Sequence, residues 1–172
     1  MIFVTVGAQM AFDRLIEWTD EWAVATERDD VFAQIGLSTY TPKKLQVIPF
    51  LDPPAFRQRM REARAIVAHA GMGTIITALE VGTPILVVPR LGSRNETRND
   101  HQTATARRLE EARLVLAAYD QDHFVSCMER LEAEPARPRI GKRASDALLS
   151  HVREFVIGGR QPARCATRGD DG

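Results

Sequence analysis

Residues 65–90 read AIVAHAGMGTIITALEVGTPILVVPR. An apolar run ends in a turn with glycines at 71 and 73, a helix-length segment follows to about residue 81, and Gly82-Thr83-Pro84 turns the chain into a second apolar run, PILVVP at 84–89. Two short apolar runs joined through a helix make a β-α-β unit, and the crossover sets the two strands parallel. A parallel sheet needs cover on both faces, so the rest of the chain must supply helices and further buried strands.

The remaining sequence fits that demand. IFVTV (2–6), closed by Gly7, reads as a strand buried on both faces, and residues 10–27 place Phe12, Leu15, Ile16, Trp22 and Val24 among charges, as a helix does. VFAQIG (31–36) and KLQVIPF (44–50) read as strands. DPPAFRQRMREA (52–63) reads as a helix with Asp52 at its N-cap and prolines at the first helical positions. A polar loop (90–99) leads to a helix at about 100–111, then a sixth strand, RLVLAA (113–118), and a helix to about 133 that Asp120 or Asp122 can cap.

The predicted fold is therefore α/β, a parallel six-stranded Rossmann-like sheet with helices on both faces. One domain is expected over residues 1–157, closing with a helix at 141–157 whose broad apolar face includes Leu148, Val152, Phe155 and Val156. That helix either packs on its own sheet or docks a partner. Residues 158–172 have no periodicity and read as a disordered tail.

Charge and cysteine usage narrow the function classes. Lys and Arg number 23 and Asp and Glu 23, so there is no basic excess to attract nucleic acid. Cys127 and Cys165 give neither a disulfide framework nor metal-ligand spacing, and no D-x-D motif occurs, so no metal is expected. The start, MIFVTVG, lacks a signal-peptide pattern, and no apolar run approaches the roughly 18–20 residues of a membrane span. A cytoplasmic protein is expected, with any membrane link made through a partner.

In sheets of this kind ligands sit beyond the carboxyl ends of the strands. Those ends are Gly7-Ala8-Gln9, Gly36, Phe50, His69-Ala70-Gly71 and Arg90. Gly71, Gly73 and Thr74 open a helix, where bare N–H groups and the helix dipole suit a phosphate; the plain alternative is glycine required by turn geometry alone. Glu80 lies seven residues past Gly73, roughly 10 Å along the helix. It can accept hydrogen bonds from ribose hydroxyls or simply face solvent. Asn99 or Asp100 can cap the next helix, which puts His101 and Gln102 in its first turn, either for sugar hydroxyls or as an exposed cap. His69 either touches a ligand or is a hydrogen-bonded core residue. Arg90, Arg94 and Arg98 steer anionic substrates, approach acidic lipid or are merely solvated. A dinucleotide fingerprint fails because Ile76 stands where its third glycine belongs and no acidic residue ends the second strand, and no P-loop occurs.

Taken together, HAGMGTIITALEVGTPILVVPR, DHQTATARRLEE and the opening VTVGAQMAFDRLI resemble the C-terminal, donor-binding half of family 28 glycosyltransferases over about residues 1–135. The likeness is greatest to short stand-alone catalytic subunits, of the kind found in the dolichol-pathway N-acetylglucosaminyltransferase and in bacterial exopolysaccharide glucuronosyltransferases. The resemblance implies half of a GT-B fold and an inverting transferase with a UDP-sugar donor. On that basis Gly71, Gly73 and Thr74 would face the diphosphate and Glu80 the ribose. Asp100, His101 and Gln102 would face the donor sugar, and Gly7, Ala8 and Gln9 would form a loop toward the diphosphate and the interdomain cleft. The first loop, GAQMAF, departs from the small hydroxyl residue many relatives carry after the glycine.

The resemblance also implies a membrane-anchored partner subunit that binds a lipid-linked saccharide acceptor and supplies the catalytic base; helix 141–157, with its broad apolar face, either docks that partner or packs on its own sheet. Within this chain His101 and His69 are the candidate bases, and no cofactor is expected. The alternative is a non-catalytic nucleotide-sugar-binding module that senses or regulates. A UDP-sugar epimerase shares the architecture but needs both halves in one chain.

Overall fold

The computed structural model describes residues 1–98 and 100–133; the helix expected at 141–157 and the tail at 158–172 lie outside the described residues. Six strands are formed by β1 (Ile2–Thr5), β2 (Val31–Gln34), β3 (Gln46–Ile48), β4 (Ala65–His69), β5 (Ile85–Val88) and β6 (Leu116–Ala117). Between and after them run α1 (Asp13–Ala25), α2 (Pro53–Glu62), α3 (Met72–Val81), α4 (His101–Glu111) and α5 (Gln121–Ala133). All strand pairs are parallel, in the order β3-β2-β1-β4-β5-β6. The chain builds outward from β1 in one direction, then returns to build outward from β4 in the other. The point where the order reverses, between β1 and β4, is where such a sheet opens a crevice.

Alternation along the strands explains why the strand sequences are apolar throughout. Ile2, Val4, Val31, Ala33, Val67, Leu86 and Val88 point to one face, under Leu15, Trp18 and Trp22 of α1 and Phe124 and Met128 of α5. Phe3, Ile66, Ala68, Ile85 and Val87 point to the other, under Met60 of α2, Ile75 and Leu79 of α3 and Ala106 of α4. Both cores are closed to water.

Helix starts largely follow the expected chemistry. The Asp52 carboxylate accepts from the Ala55 N–H at 2.7 Å, and Asp120 accepts from the His123 N–H at 2.8 Å. Asp100 differs. It occupies the N-cap position of α4 without a side-chain cap bond, because its carboxylate accepts instead from the Gly92 N–H at 2.7 Å and folds the β5–α4 loop. The sixth strand is shorter than RLVLAA suggests because its first residues finish α4. Arg113 takes a left-handed conformation (φ 56°), and the N–H of Leu114 returns to the Leu109 carbonyl at 2.9 Å. The β2–β3 connection carries no helix. Buried Asp20 pins it, accepting from the Tyr40 hydroxyl and from the backbone N–H groups of Lys43, Lys44 and Leu45.

Candidate nucleotide site

An open cleft of about 670 Å³ lies over the carboxyl ends of the central strands. Its floor is the β1–α1 loop (Gly7, Ala8, Gln9), Gln34 of β2, and His69 with Gly71 after β4. Pro53, Phe56 and Arg57 of α2 form one wall, next to Phe50 and Leu51 from the turn before it. Gly73, Thr74, Thr77 and Glu80 of α3 form another, and Gln102 reaches in from α4.

The α3 wall suits an anion. No side chain caps α3, and its first turn holds no acidic residue, so the helix presents its opening N–H groups and positive dipole end to the cleft. The two glycines there have different reasons. A Cβ on Gly71 would overlap Nε2 of His69, so Gly71 is needed by the protein itself. A Cβ on Gly73 would meet nothing within 4 Å. Glycine in a helix costs about 0.5–1 kcal/mol against alanine, and no neighbour of Gly73 requires it. Open space above bare helical N–H groups is what a close-approaching phosphate uses. Among the described residues, the Thr74 hydroxyl and the Glu80 carboxylate on the same wall have no hydrogen-bond partner.

His69 is clamped from below as well. Gly7 has φ 79°, and a Cβ there would stand 2.7 Å from Cε1 of the imidazole. The ring lies between two glycines, with Nδ1 buried and without a partner of hydrogen-bond geometry. Burial first, and then the charge of Arg90, push its pKa down to about 4, against a weaker opposing pull from the Thr5 backbone. At neutral pH His69 is an uncharged imidazole. Gln34, itself buried, braces the floor: its Nε2 donates to Thr5 Oγ1 at 3.4 Å and its Oε1 accepts from the Leu51 N–H at 3.0 Å.

The structure corrects the expectation for Arg90. It is not a solvated loop cation but is 4% exposed, with its guanidinium donating to the carbonyls of Val6 (2.7 Å), Met10 (2.7 Å), Ala11 (2.6 Å) and Glu96 (3.0 Å). Arg14 lies nearby, donating from Nε and Nη2 to the two carboxylate oxygens of Glu96, each at 2.8 Å. The sequence reading missed this network. Its one visible signal was an arginine placed immediately after a buried strand. A second cavity of about 100 Å³, lined by Gln9, Met10, His69, Arg90, Glu96 and Gln102 among others, adjoins the cleft.

Gly7, Ala8, Gln9, His69, Gly71, Gly73, Thr74, Glu80 and Gln102 are thus brought together, while Asp100 and His101 are not. These two line a separate open cavity of about 700 Å³ along α4, with Thr103, Arg107 and Arg108. Gln102 has two roles: its Oε1 accepts from the Arg90 main-chain N–H at 3.2 Å, and the residue also lines the cleft. Among the described residues no three His, Cys, Asp or Glu side chains group as metal ligands, and no helix is long and apolar enough to cross a membrane.

A crevice at the switch point of a doubly wound parallel sheet, walled by an uncapped helix N-terminus, defines a Rossmann-like ligand-binding domain. Residues 1–147 match the glycosyltransferase family 28 C-terminal domain, and the chain belongs to that family. Its fold recurs in solved structures of low identity. The glycosyltransferase of kitacinnamycin has a TM-score of 0.60 at 20% identity, over 78% of this chain and 35% of that one. The NMR structure of ALG13 has a TM-score of 0.57 at 14% identity, over 88% of this chain and 93% of that one. The UDP-GlcNAc 2-epimerase of Methanocaldococcus jannaschii, in complex with UDP-GlcNAc and UDP, has a TM-score of 0.60 at 12% identity, over 91% and 45%. The chain therefore spans about a third of the first protein, under half of the third and nearly all of ALG13.

Proposed function

We propose that this chain is the donor-binding, catalytic subunit of a two-component inverting glycosyltransferase, holding a UDP-sugar in the cleft. The observation that carries this reading is Gly73: a helix-opening glycine with empty space over it, beside uncapped N–H groups, in a chain of the family 28 C-terminal domain. The diphosphate would rest on the first turn of α3 near Thr74 and face the Gly7–Gln9 loop. Glu80, two turns along that wall, would accept from the ribose hydroxyls. Gln102 would reach the sugar. Asp100 and His101, outside the cleft lining, take no part in this assignment.

Transfer follows from that placement. The acceptor hydroxyl attacks the anomeric carbon, its oxygen–carbon bond forms as the bond to the β-phosphate breaks, and the hydroxyl proton passes to a general base. Charge growing on the departing UDP is stabilised by the α3 N–H groups and dipole, which are already aligned. His69, held near pKa 4, is too weak a base for a hydroxyl at neutral pH. The base is assigned to a membrane-anchored partner that also presents a lipid-linked saccharide, recruiting this chain to the inner face of the membrane. Support for the donor half of this reading comes from the family 28 match and from a fold shared with ALG13 over 93% of that chain.

Amide NMR during titration with UDP and a UDP-sugar tests the donor half of the reading. Shifts centred on residues 7–9, 71–74 and 80 support it, and shifts confined to the outer face of α4 contradict it. Sugar transfer that appears only on adding the membrane subunit tests the rest.

A further inference from the structure

Arg90 stands behind the cleft, not in it. It leaves the end of β5 and crosses beneath the β1–α1 loop, where its four hydrogen bonds go entirely to main-chain carbonyls, three of them in residues 6–11. The ring of Phe12 lies against it, 4.7 Å from the guanidinium carbon to the ring centroid. The charge arrangement is unequal. Two buried guanidiniums, Arg14 and Arg90, have the one carboxylate of Glu96 nearby; Arg14 takes both of its oxygens, while Arg90 reaches only the Glu96 main-chain carbonyl.

We infer that Arg90 is a positioning residue of the donor site, holding the carbonyls of Val6, Met10 and Ala11, on either side of the Gly7–Gln9 loop, away from the cleft and leaving uncompensated positive charge beneath it. A carbonyl oxygen facing the cleft would repel a diphosphate, and drawing Val6, Met10 and Ala11 inward removes that repulsion. The charge, itself buried and so less screened than a surface one, adds a favourable field at the cleft above it. Arg90 also ties this loop to the β5–α4 loop through the Glu96 carbonyl, so the cleft floor and the loop beside the smaller cavity share one anchor. Lysine, with three donors on a flexible stem, retains the charge but not the four-point geometry. The inference rests on the UDP-sugar reading of the cleft.

The test compares UDP, UMP and uridine by calorimetry on the wild type, Arg90→Met, Arg90→Lys and, as a charge-matched control on the exposed loop, Arg94→Met. Amide hydrogen exchange of residues 6–12 is measured on the same proteins. Arg90→Met is expected to lose about tenfold or more in UDP affinity but about twofold or less for uridine, with faster exchange in the loop. Arg90→Lys is expected to recover part of the UDP affinity while its loop exchange stays fast, and Arg94→Met to match the wild type. Equal losses for UDP and uridine in a folded variant, or unchanged UDP binding, would overturn the inference. Should Arg90→Met not fold, the same comparison is read from Arg90→Lys. If the wild type binds none of the three, the UDP reading fails; the positioning role is then decided by exchange alone, faster in Arg90→Lys if it holds and unchanged if it does not.

Discussion

Gly71 gives up its Cβ position to the imidazole of His69: a methyl group there would overlap Nε2 and stand 2.8 Å from Cδ2. Two residues apart at the end of β4, they are a packed pair, and Gly7 closes the ring from the other side. Gly71→Ala is therefore expected to push His69 from its slot and cost about 1–3 kcal/mol, as overpacking does. Gly73→Ala, whose new methyl meets nothing, is expected to keep or raise stability by up to about 0.5–1 kcal/mol, yet to weaken UDP binding. Urea unfolding of the two variants checks the contrast. Equal destabilisation would mean that Gly73 is as structural as Gly71.

The depressed pKa of His69 makes stability depend on pH with a definite sign. Unfolded, the imidazole titrates near its ordinary 6.5; folded, burial first and then Arg90 hold it at about 4. Between these values the unfolded chain binds more protons, so this contribution is complete above about pH 6.5 and is lost as pH falls toward 4. Unfolding free energy measured across pH 4–7 is expected to rise with pH, and the rise is expected to flatten in His69→Gln.

Glu96 neutralises buried charge that has no other carboxylate among the described ion pairs of this network. Glu96→Ala leaves buried Arg14 and Arg90 with no neighbouring carboxylate among the described ion pairs and is expected to cost about 3–5 kcal/mol, the range for breaking a buried pair. In a double-mutant cycle with Arg14→Met, part of that loss is expected to be recovered, because the second change removes the stranded charge.

What could be read beforehand was set by periodicity and local chemistry. The strand and helix order, the two-sided core and the Asp52 cap follow from patterns within a few residues. So does the placing of Gly7, His69 and Gly71 on one rim, since each closes a strand. Arg90 was not readable, because an arginine at a strand end looks solvated until the fold places four carbonyls around it. Asp100 looked like a cap because its competing donor, Gly92, is set by the path of the loop. That loop also carries Asp100 and His101 out of the cleft while Gln102, one residue on, turns inward.

The opposite end of the sheet carries a charge cluster with its own acid dependence. Asp30 lies 2.8 Å from Arg28, 3.5 Å from Arg64 and 3.6 Å from the terminal amine of Met1. Partial burial alone would raise its pKa, but the Arg28 bonds and then the charges of Arg28 and Arg64 lower it below the usual carboxylate value. Its contribution is present above that usual value, about 3.9, and is lost as pH falls through the lower folded one. Asp30→Asn is expected to remove some of the acid sensitivity seen below about pH 4, as followed by circular dichroism.

The proposed donor site holds a uridine diphosphate over the first turn of α3, with its ribose on Glu80. Calorimetric titration of the chain with UDP, NAD and ATP, repeated on Glu80→Ala, tests this directly. Micromolar UDP binding in preference to the other two, weakened about tenfold by the substitution, is the predicted result. Preference for NAD or ATP, or UDP affinity that Glu80→Ala leaves unchanged, would contradict it.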